Sequence, residues 1–552
     1  MHTNSDTPSE TTEIQPNTTS TNNIEATDGP DIEKNLLKPN ADGGDGTLSG
    51  ARLLLLSFAL CFTILLIALN GSIVSTAVPK ITSQFNSIDD IGWYGSAALL
   101  TNCALNPLTG KIYTFCPLKA TFLVFQSIFM LGSLLSAVAV SSNMFIVGRA
   151  VQGMGGAGLL SGAFTIIAAA VPRDKKPLYV GIGIAISSIG SVIGPVVGGA
   201  LTQHASWRWC FYINLPPGGL ACLLLLLMRI PEQIEKKPVT QNFMPLLREL
   251  DLIGFALFAP ACTMFLLALN WGGSTYPWKS ATVIGLFCGS FVMACIFAGW
   301  QWHRGDRAMI PPIIIGNRLV AAGCLVAGFQ MGALFMLSYY LPLWFQAVKG
   351  ASPTMSGVRT LPSMISQAIG SVVAGKFVQV VKRCTPWALF GSALSAIGAG
   401  LMSTFYPWTG AGPWIGYQIL TGAGRGSVMQ MPLTAVQSFL PANQVAIATS
   451  SIFFTQYFGG TVFLSVAETI MDNSLPSALH KYAPNANVEA IVAAGATAFR
   501  TVTDKADLPG VLLAFNLAIT RTFYLAAAGG CIAFVSSFGM GWQKIENSPK
   551  KQ

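Results

Sequence analysis

The sequence predicts an all-α integral membrane protein with fourteen transmembrane helices, arranged as two six-helix bundles plus two inserted helices. Three observations predict it. The chain of 552 residues is 52% hydrophobic and only 10% charged, with mean hydropathy +0.55, whereas a soluble domain carries roughly a quarter charged residues. Apolar runs long enough to cross a bilayer, about 20 residues each, follow one another along the chain. Lysines and arginines alternate between loops that are rich and poor in them, as topology requires.

Residues 1–50 are a polar tail rich in Ser, Thr, Asn, Asp and Glu, too poor in large apolar residues to fold alone. No basic segment followed by an apolar core and cleavage site opens the chain, so a cleaved signal peptide is not expected. The apolar runs lie near 53–78, 91–114, 118–141, 144–171, 178–203, 210–229, 252–271, 281–300, 320–345, 356–379, 385–405, 413–435, 445–470 and 519–541. Those near 91–114 and 356–379 are the weakest by hydropathy. With these spans, 21 of the 32 lysines and arginines fall on the side of the two termini and nine on the other. Both termini are therefore expected to be cytoplasmic. The expected division is a tail (1–50), a first bundle (51–230), a linker (231–250), two inserted helices (251–300) and a second bundle (301–541). The second bundle includes an external loop, 471–518, and a stub, 542–552, follows it.

The stretch Gly181–Gly199 reads GIGIAISSIGSVIGPVVGG. Gly190, Gly194 and Gly198 share one helix face, so another helix can approach closely, and Pro195 bends the chain by removing a hydrogen bond. Such a helix suits a joint between two rocking bundles or a static packing contact. The sequence also repeats. A shift of 269 aligns Gly153 with Gly422, Gly155 with Gly424, Thr165 with Thr434 and Pro172 with Pro441. A shift of 265 aligns Gly110-Lys111 with Gly375-Lys376. These matches pair spans 1–6 with spans 9–14 and leave spans 7 and 8 as an insert. Two parallel halves around a midplane site are a transporter plan.

The chain resembles the fourteen-span drug:proton antiporters of the major facilitator superfamily, most of all the fungal toxin and secondary-metabolite efflux pumps, over roughly residues 50–540. Gly190, Gly194, Pro195, Gly198 and Gly199 resemble the antiporter signature GxxxGPxxGG. FIVGRAVQGMGGAG resembles the span-4 motif through Arg149, Gln152, Gly153 and Gly155. Trp207–Trp209, Phe211–Pro216, Gly92–Phe115 and GAGRGSVMQMP at 422–432 carry the rest. The resemblance implies the major facilitator fold, export of toxins or drugs in exchange for protons, and a plasma-membrane location, with the vacuolar membrane as the alternative. The chain departs from the pattern in its first span, LNGSIVSTAVP. There Asn70 stands for a carboxylate, and asparagine cannot titrate. The basic cluster and Asp between spans 2 and 3 are absent as well, and Ala98 and Asn106 replace a Tyr and a Gln.

By resemblance Arg149 couples proton movement, with Gln152 beside it, and Glu468 near the outer end of span 13 is the candidate titrating group, or is exposed to headgroups. Arg425, mid-way along span 12, needs acceptors; Gln430 or a freed backbone carbonyl could serve. Its span mirrors that of Arg149, whose aligned position is Gln418. Asp251 reads as a favourable charge at a helix N-terminus. A site for a bulky apolar compound wants aromatic walls and a few polar groups. Asn70, Phe329, Gln330, Tyr339, Tyr340, Trp344, Gln346, Gln456 and Tyr457 are candidates beside Arg425 and Gln430. Some of these aromatics, Trp344 in particular, also suit the interfacial belt, to which Trp207, Trp209 and Trp408 are assigned. No GxxxxGK[ST] occurs, so no ATP site is implied, and the eleven scattered cysteines suggest neither metal site nor disulfide framework. The expected partners are a small-molecule substrate and membrane lipid, without nucleic acid or cofactor, in a monomer driven by the proton gradient. Alternatives are an uptake carrier or facilitator for a nutrient or iron chelate, and a non-transporting sensor on the same fold. An enzyme is not expected.

Overall fold

The computed structural model describes residues 37–39, 48, 50–85, 87, 90–232, 234–236, 249–273 and 275–545. The first bundle contains α1 (Gly50–Phe85), α2 (Ile91–Phe115), α3 (Leu118–Ala137), α4 (Ser142–Ala170), α5 (Lys176–His204) and α6 (Leu215–Leu227). The inserted pair is α7 (Leu252–Trp271) and α8 (Ala281–Arg304). The second bundle contains α9 (Arg318–Ala347), α10 (Pro353–Val381), α11 (Thr385–Met402), α12 (Ala411–Met429), α13 (Ala442–Tyr482) and α14 (Leu508–Ser537). A short helix, Trp209–Tyr212, leads into α6, and α12 continues through Met431–Phe439. Two three-residue strands, Leu37–Pro39 and Ile234–Lys236, pair antiparallel, so this part of the tail lies against the linker after α6.

Among the described residues, eleven helices are long and apolar enough to cross a membrane. The weak span near 356–379 is one of them; α2, α12 and α13 are not. Composition explains the difference. These three helices carry buried polar side chains, Asn102, Asn106 and Thr109 on α2, Gln418, Arg425 and Ser427 on α12, Thr449, Ser450 and Gln456 on α13. These polar faces lie against other helices, so the three helices need less hydropathy than helices against lipid.

The repeat read from the sequence is present in the packing. On the first bundle, Arg149 Nε donates to the Tyr94 carbonyl at 3.1 Å; at the corresponding place in the second, Gln418 Nε2 donates to the Arg359 carbonyl at 2.9 Å. Gly153 lies on the Ala98 carbonyl and Gly422 on the Ser363 carbonyl, each too close for a Cβ. Between the bundles, Gly110 of α2 lies on Ala446 and Ile447 of α13, and Gly375 of α10 on Pro177 and Leu178 of α5. All these pairs keep the shifts of 265 and 269, so the halves are related by a pseudo-two-fold.

The glycine stripe of α5 corrects one of the two sequence readings. Gly190, Gly194 and Gly198 pack on Leu65, Leu69, Ser72 and Ile73 of α1, within the first bundle. The stripe is therefore a packing contact, not the joint between bundles. Gly199 has nothing within 4 Å of where a Cβ would stand, and Pro195 is exposed. The joint is the other end of α5: Gly181 lies against Ser371 and Gln430, and Ser188 accepts from Gln367 Nε2 at 2.9 Å.

The bundles meet at the end that carries Lys176 and Lys382, the basic end. There Lys176 Nζ donates to the Gln437 carbonyl at 3.3 Å, and Gln437 Nε2 to the Phe164 carbonyl at 3.0 Å. The Phe164 and Phe453 rings stand 5.4 Å apart. One apolar core joins both bundles here, from Leu53, Phe122 and Phe164 to Leu433, Ile447 and Phe453. Toward the opposite end the core divides. Leu69, Ile73, Tyr94, Phe145 and Phe211 form a cluster of the first bundle alone, and Trp344, Phe345, Phe405 and Phe515 one of the second alone. The molecule is sealed at the basic end and divided at the other.

Residues 471–518, expected as a loop, are largely helical. α13 continues to Tyr482, a helix spans Val488–Val502, and α14 begins at Leu508. Leu475 and Leu479, one turn apart, are buried in the cluster around Trp344. Cations at this end donate to carbonyls at helix ends and in the turns beyond them: Arg500 to Ala347, Lys349 to Pro407 and Thr409, Arg208 to Ala137 and Ala139. Burial, with Arg359 nearby, lowers the Lys349 ammonium below its ordinary range.

The inserted pair sits over the seam between α2 and α13. α7 places Phe258 5.2 Å from Phe454 and Phe265 5.3 Å from Phe458 of α13, while Trp271 meets Trp93 of α2 at 5.8 Å. Asp251 caps α7 as expected. It also accepts from Trp300 Nε1 and the Met309 amide, both at 2.8 Å, tying the pair to the start of the second bundle.

Gly422→Ala should lower the thermal midpoint of the purified protein by several degrees, because its Cβ must displace the α10 backbone; overpacking of this kind costs about 1–3 kcal/mol. Gly199→Ala should leave it unchanged or raise it slightly. Equal midpoints for the two variants would refute the packing assignment.

Candidate functional site

Arg149 lies in the second turn of α4, 3% exposed. The missing Cβ of Gly153 and the backbone carbonyls of α2 hold α4 close enough for its guanidinium to reach two neighbouring helices. Nε donates to the Tyr94 carbonyl, and Nη1 to Gln152 Oε1 at 2.6 Å and Asn70 Oδ1 at 3.3 Å. The Phe211 ring centroid lies 6.0 Å from Cζ. Arg149, Gln152 and Asn70 thus form one buried cluster. Every oxygen in it is neutral, and the position that the family motif gives to a carboxylate is an amide.

Arg425 is 2% exposed and differently held. Nη2 donates to Ser363 Oγ at 2.7 Å, while Nε and Nη1 have no partner among the described residues. Neither expected acceptor serves it: Gln430 Nε2 donates instead to the Ser371 carbonyl at 2.6 Å, beside Gly181 at the joint. Gln330 of α9 is fully buried, with Oε1 accepting from Ser395 Oγ at 3.3 Å and Nε2 unpartnered. Gln456 is likewise buried with a free Nε2.

The other candidates divide. Tyr340 is buried beside Tyr339, which is 61% exposed, their rings 5.3 Å apart. Glu468 is exposed near these tyrosines and does not reach either arginine cluster. Gln346 donates to Ser356, Phe329 packs on Phe463, and Tyr457 lines the contact between α7 and the seam. Trp344 and Trp207 correct the belt assignment. Trp344 is fully buried and donates to Asn516 Oδ1 at 2.8 Å; Trp207 is 3% exposed and donates to Gln84 Oε1 at 2.7 Å. A buried indole needs an acceptor for its N–H, and both have one. Trp209 and Trp408 are exposed, as expected. Sequence reasoning missed Ser363, Ser395 and Gln437, which hold the polar interior; buried serines and glutamines carry no motif.

Two pseudo-symmetric bundles, sealed at one end, divided at the other and polar inside, define a multi-pass membrane transporter and not an enzyme. The chain belongs to the Major Facilitator Superfamily, whose family model matches residues 60–464. It is 49% identical to the efflux pump mlcE of Penicillium citrinum over 90% of this chain and 92% of that one. It is 48% identical to the MFS-type transporter pigP of Monascus ruber over 92% and 90%, and 46% identical to the efflux pump mokI of Monascus pilosus over 90% and 92%. The fold is similar to that of the proton:xylose symporter XylE, with a TM-score of 0.60 and 14% identity over 90% of this chain and 98% of that chain.

Removing each guanidinium should have opposite effects on stability. Arg149→Met deletes three hydrogen bonds and strands their acceptors, so the thermal midpoint falls. Arg425→Met deletes an uncompensated buried charge at the loss of one hydrogen bond, so the midpoint rises. A fall in both would show that Arg425 is fully paired.

Proposed function

We propose that the protein exports small amphipathic or apolar compounds by alternating access, in exchange for protons. The carrying observation is the division of the molecule: one core and a set of hydrogen bonds join the bundles at the basic end, and separate cores face apart at the other. This is the outward-facing member of a two-state cycle, in which α5 against α10 and α2 against α13 are the joints. In this reading the chain crosses the membrane fourteen times, with both termini in the cytoplasm, as a monomer in the plasma membrane. The relatives named as efflux pumps support the direction of transport. The same division does not suit a static sensor.

Arg149, held with Gln152 and Asn70, lies where proton movement would be coupled, and the compound would bind among Gln330, Tyr340, Arg425, Gln430 and Gln456. A second reading, a facilitator without proton coupling, is favoured by Asn70: the acceptors around Arg149 are all neutral.

The test uses purified protein in liposomes with an imposed pH gradient, following a panel of fluorescent apolar compounds together with lumenal pH. Movement of a compound that consumes the gradient, and falls at least tenfold in Arg149→Ala, is expected. Movement indifferent to the gradient would establish the facilitator.

A cross-link tests the cycle itself. In a variant stripped of native cysteines, Ser188→Cys with Gln367→Cys, at side chains that already bond across the seam, should be bridged by a short bis-methanethiosulfonate and stop transport, and reduction should restore it. Full transport by the cross-linked protein would rule out opening at the basic end.

A further inference from the structure

The two buried arginines do not stand in equivalent surroundings. Arg149 uses three neutral acceptors. Arg425, equally buried, has a single partner in Ser363, and no carboxylate among the described residues reaches it. A guanidinium is always charged and carries five N–H donors; left unpaired away from water it costs several kcal/mol. Ser395 packs on Gly424, the residue before Arg425, and donates to Gln330 Oε1, which leaves the Gln330 amide N–H groups free. Pseudo-symmetry shows that this charge is not part of the scaffold: the position matching Arg425 in the first bundle is Gly156, and the position matching Arg149 in the second is the neutral Gln418. The scaffold folds with a glycine there, yet this chain places a charge and leaves it open.

We propose that Arg425 anchors a carboxylate of the exported compound, so that the substrates are amphipathic monoanions: one carboxylate on an otherwise apolar body. The proposal rests on the export reading above and names its substrate class. The carboxylate accepts from Arg425 Nε or Nη1, and it supplies the negative charge that no described residue brings to this guanidinium. A charge-assisted bond of this kind is about twice as strong as a neutral one, and the uncharged analogue leaves the guanidinium unpaired. Discrimination therefore follows from the site and not from the apolar body.

The test uses full-length purified protein and two probes, 11-(dansylamino)undecanoic acid and its primary amide. Dansyl fluorescence gives binding, and release from loaded liposomes gives transport. The wild type should bind the acid at least tenfold more tightly than the amide. Arg425→Gln should reduce acid binding to the amide's level, so that the two probes bind alike; Arg425→Lys should keep part of the preference. Thermal midpoints of both variants show that they are folded. Equal binding of acid and amide by the wild type overturns the proposal, as does binding of neither. An equal loss of both in Arg425→Gln would mean a packing role and also overturns it. Replacing chloride by gluconate identifies the other anion source: if chloride competes with the acid at submillimolar concentration, the site takes a small inorganic anion and the substrate assignment falls. Binding with acid preference but no transport of either probe defeats the export reading and leaves the anion site standing. Transport without preference does the reverse.

Discussion

The structure depends on the approach of helix backbones at two points of the basic end, where Gly110 meets α13 and Gly375 meets α5. Neither glycine has room for a Cβ, so the bundles touch main chain to main chain, and the side chains around them close the seal. Small residues allow such contacts in lipid, where there is no hydrophobic drive to hold helices together. Because α2 and α10 occupy related positions, one geometry is used twice, and the two contacts can open together as a hinge. The bonds that cross the seam nearby run largely to backbone carbonyls or between amide and hydroxyl groups, as with Gln437 to Phe164 and Gln367 to Ser188. Each is weak enough to exchange for another partner when the bundles rock.

The inserted pair gives this seam an asymmetry that the repeat alone would not. α7 leans on α13 through Phe258 and Phe265, and on α2 through Trp271, while Cys103 and Cys262 hold their sulfurs 3.8 Å apart. With Gln301 accepting from the Ile310 amide, Asp251 fixes the pair to residue 309. It does so in a left-handed backbone conformation, φ 49°, which an aspartate tolerates better than most residues. The seam between α5 and α10 has no such strap.

Much of this was legible in the sequence because it is written in residue type. The two offsets of the repeat predicted which helices correspond, and the packing of Gly153 and Gly422 on equivalent carbonyls bears that out. Arg149 and Gln152 come from one motif and Asn70 from another, and the three lie in one cluster. What the sequence hid was the choice between alternatives that share a composition. A glycine stripe says that a helix comes close but not which one, and α1 proved to be the partner rather than α10. A tryptophan near an expected loop suits the interface or a buried acceptor equally, and Trp344 took the second through Asn516. The polar stretch after residue 470 concealed a helix because only Leu475, Leu479 and a few neighbours face the core.

Charge inside the bundles is where the chemistry must differ from the family pattern. A proton carrier in lipid works by neutralising a charge that would otherwise be costly to move. In the first bundle the basic half of such a pair is present and the acid is not: Arg149 faces Asn70, which keeps the hydrogen bond of a carboxylate and loses its titration. The cluster thus holds a cation with neutral acceptors, and Glu468 on α13 is exposed and bonds to none of its members. The second bundle holds another cation with most of its donors open. Two fixed positive charges without counter-ions make the interior attractive to anions and hostile to cations. Proton coupling in this chain then requires an acid that arrives with the transported compound or one, like Glu468, reached only after the bundles move.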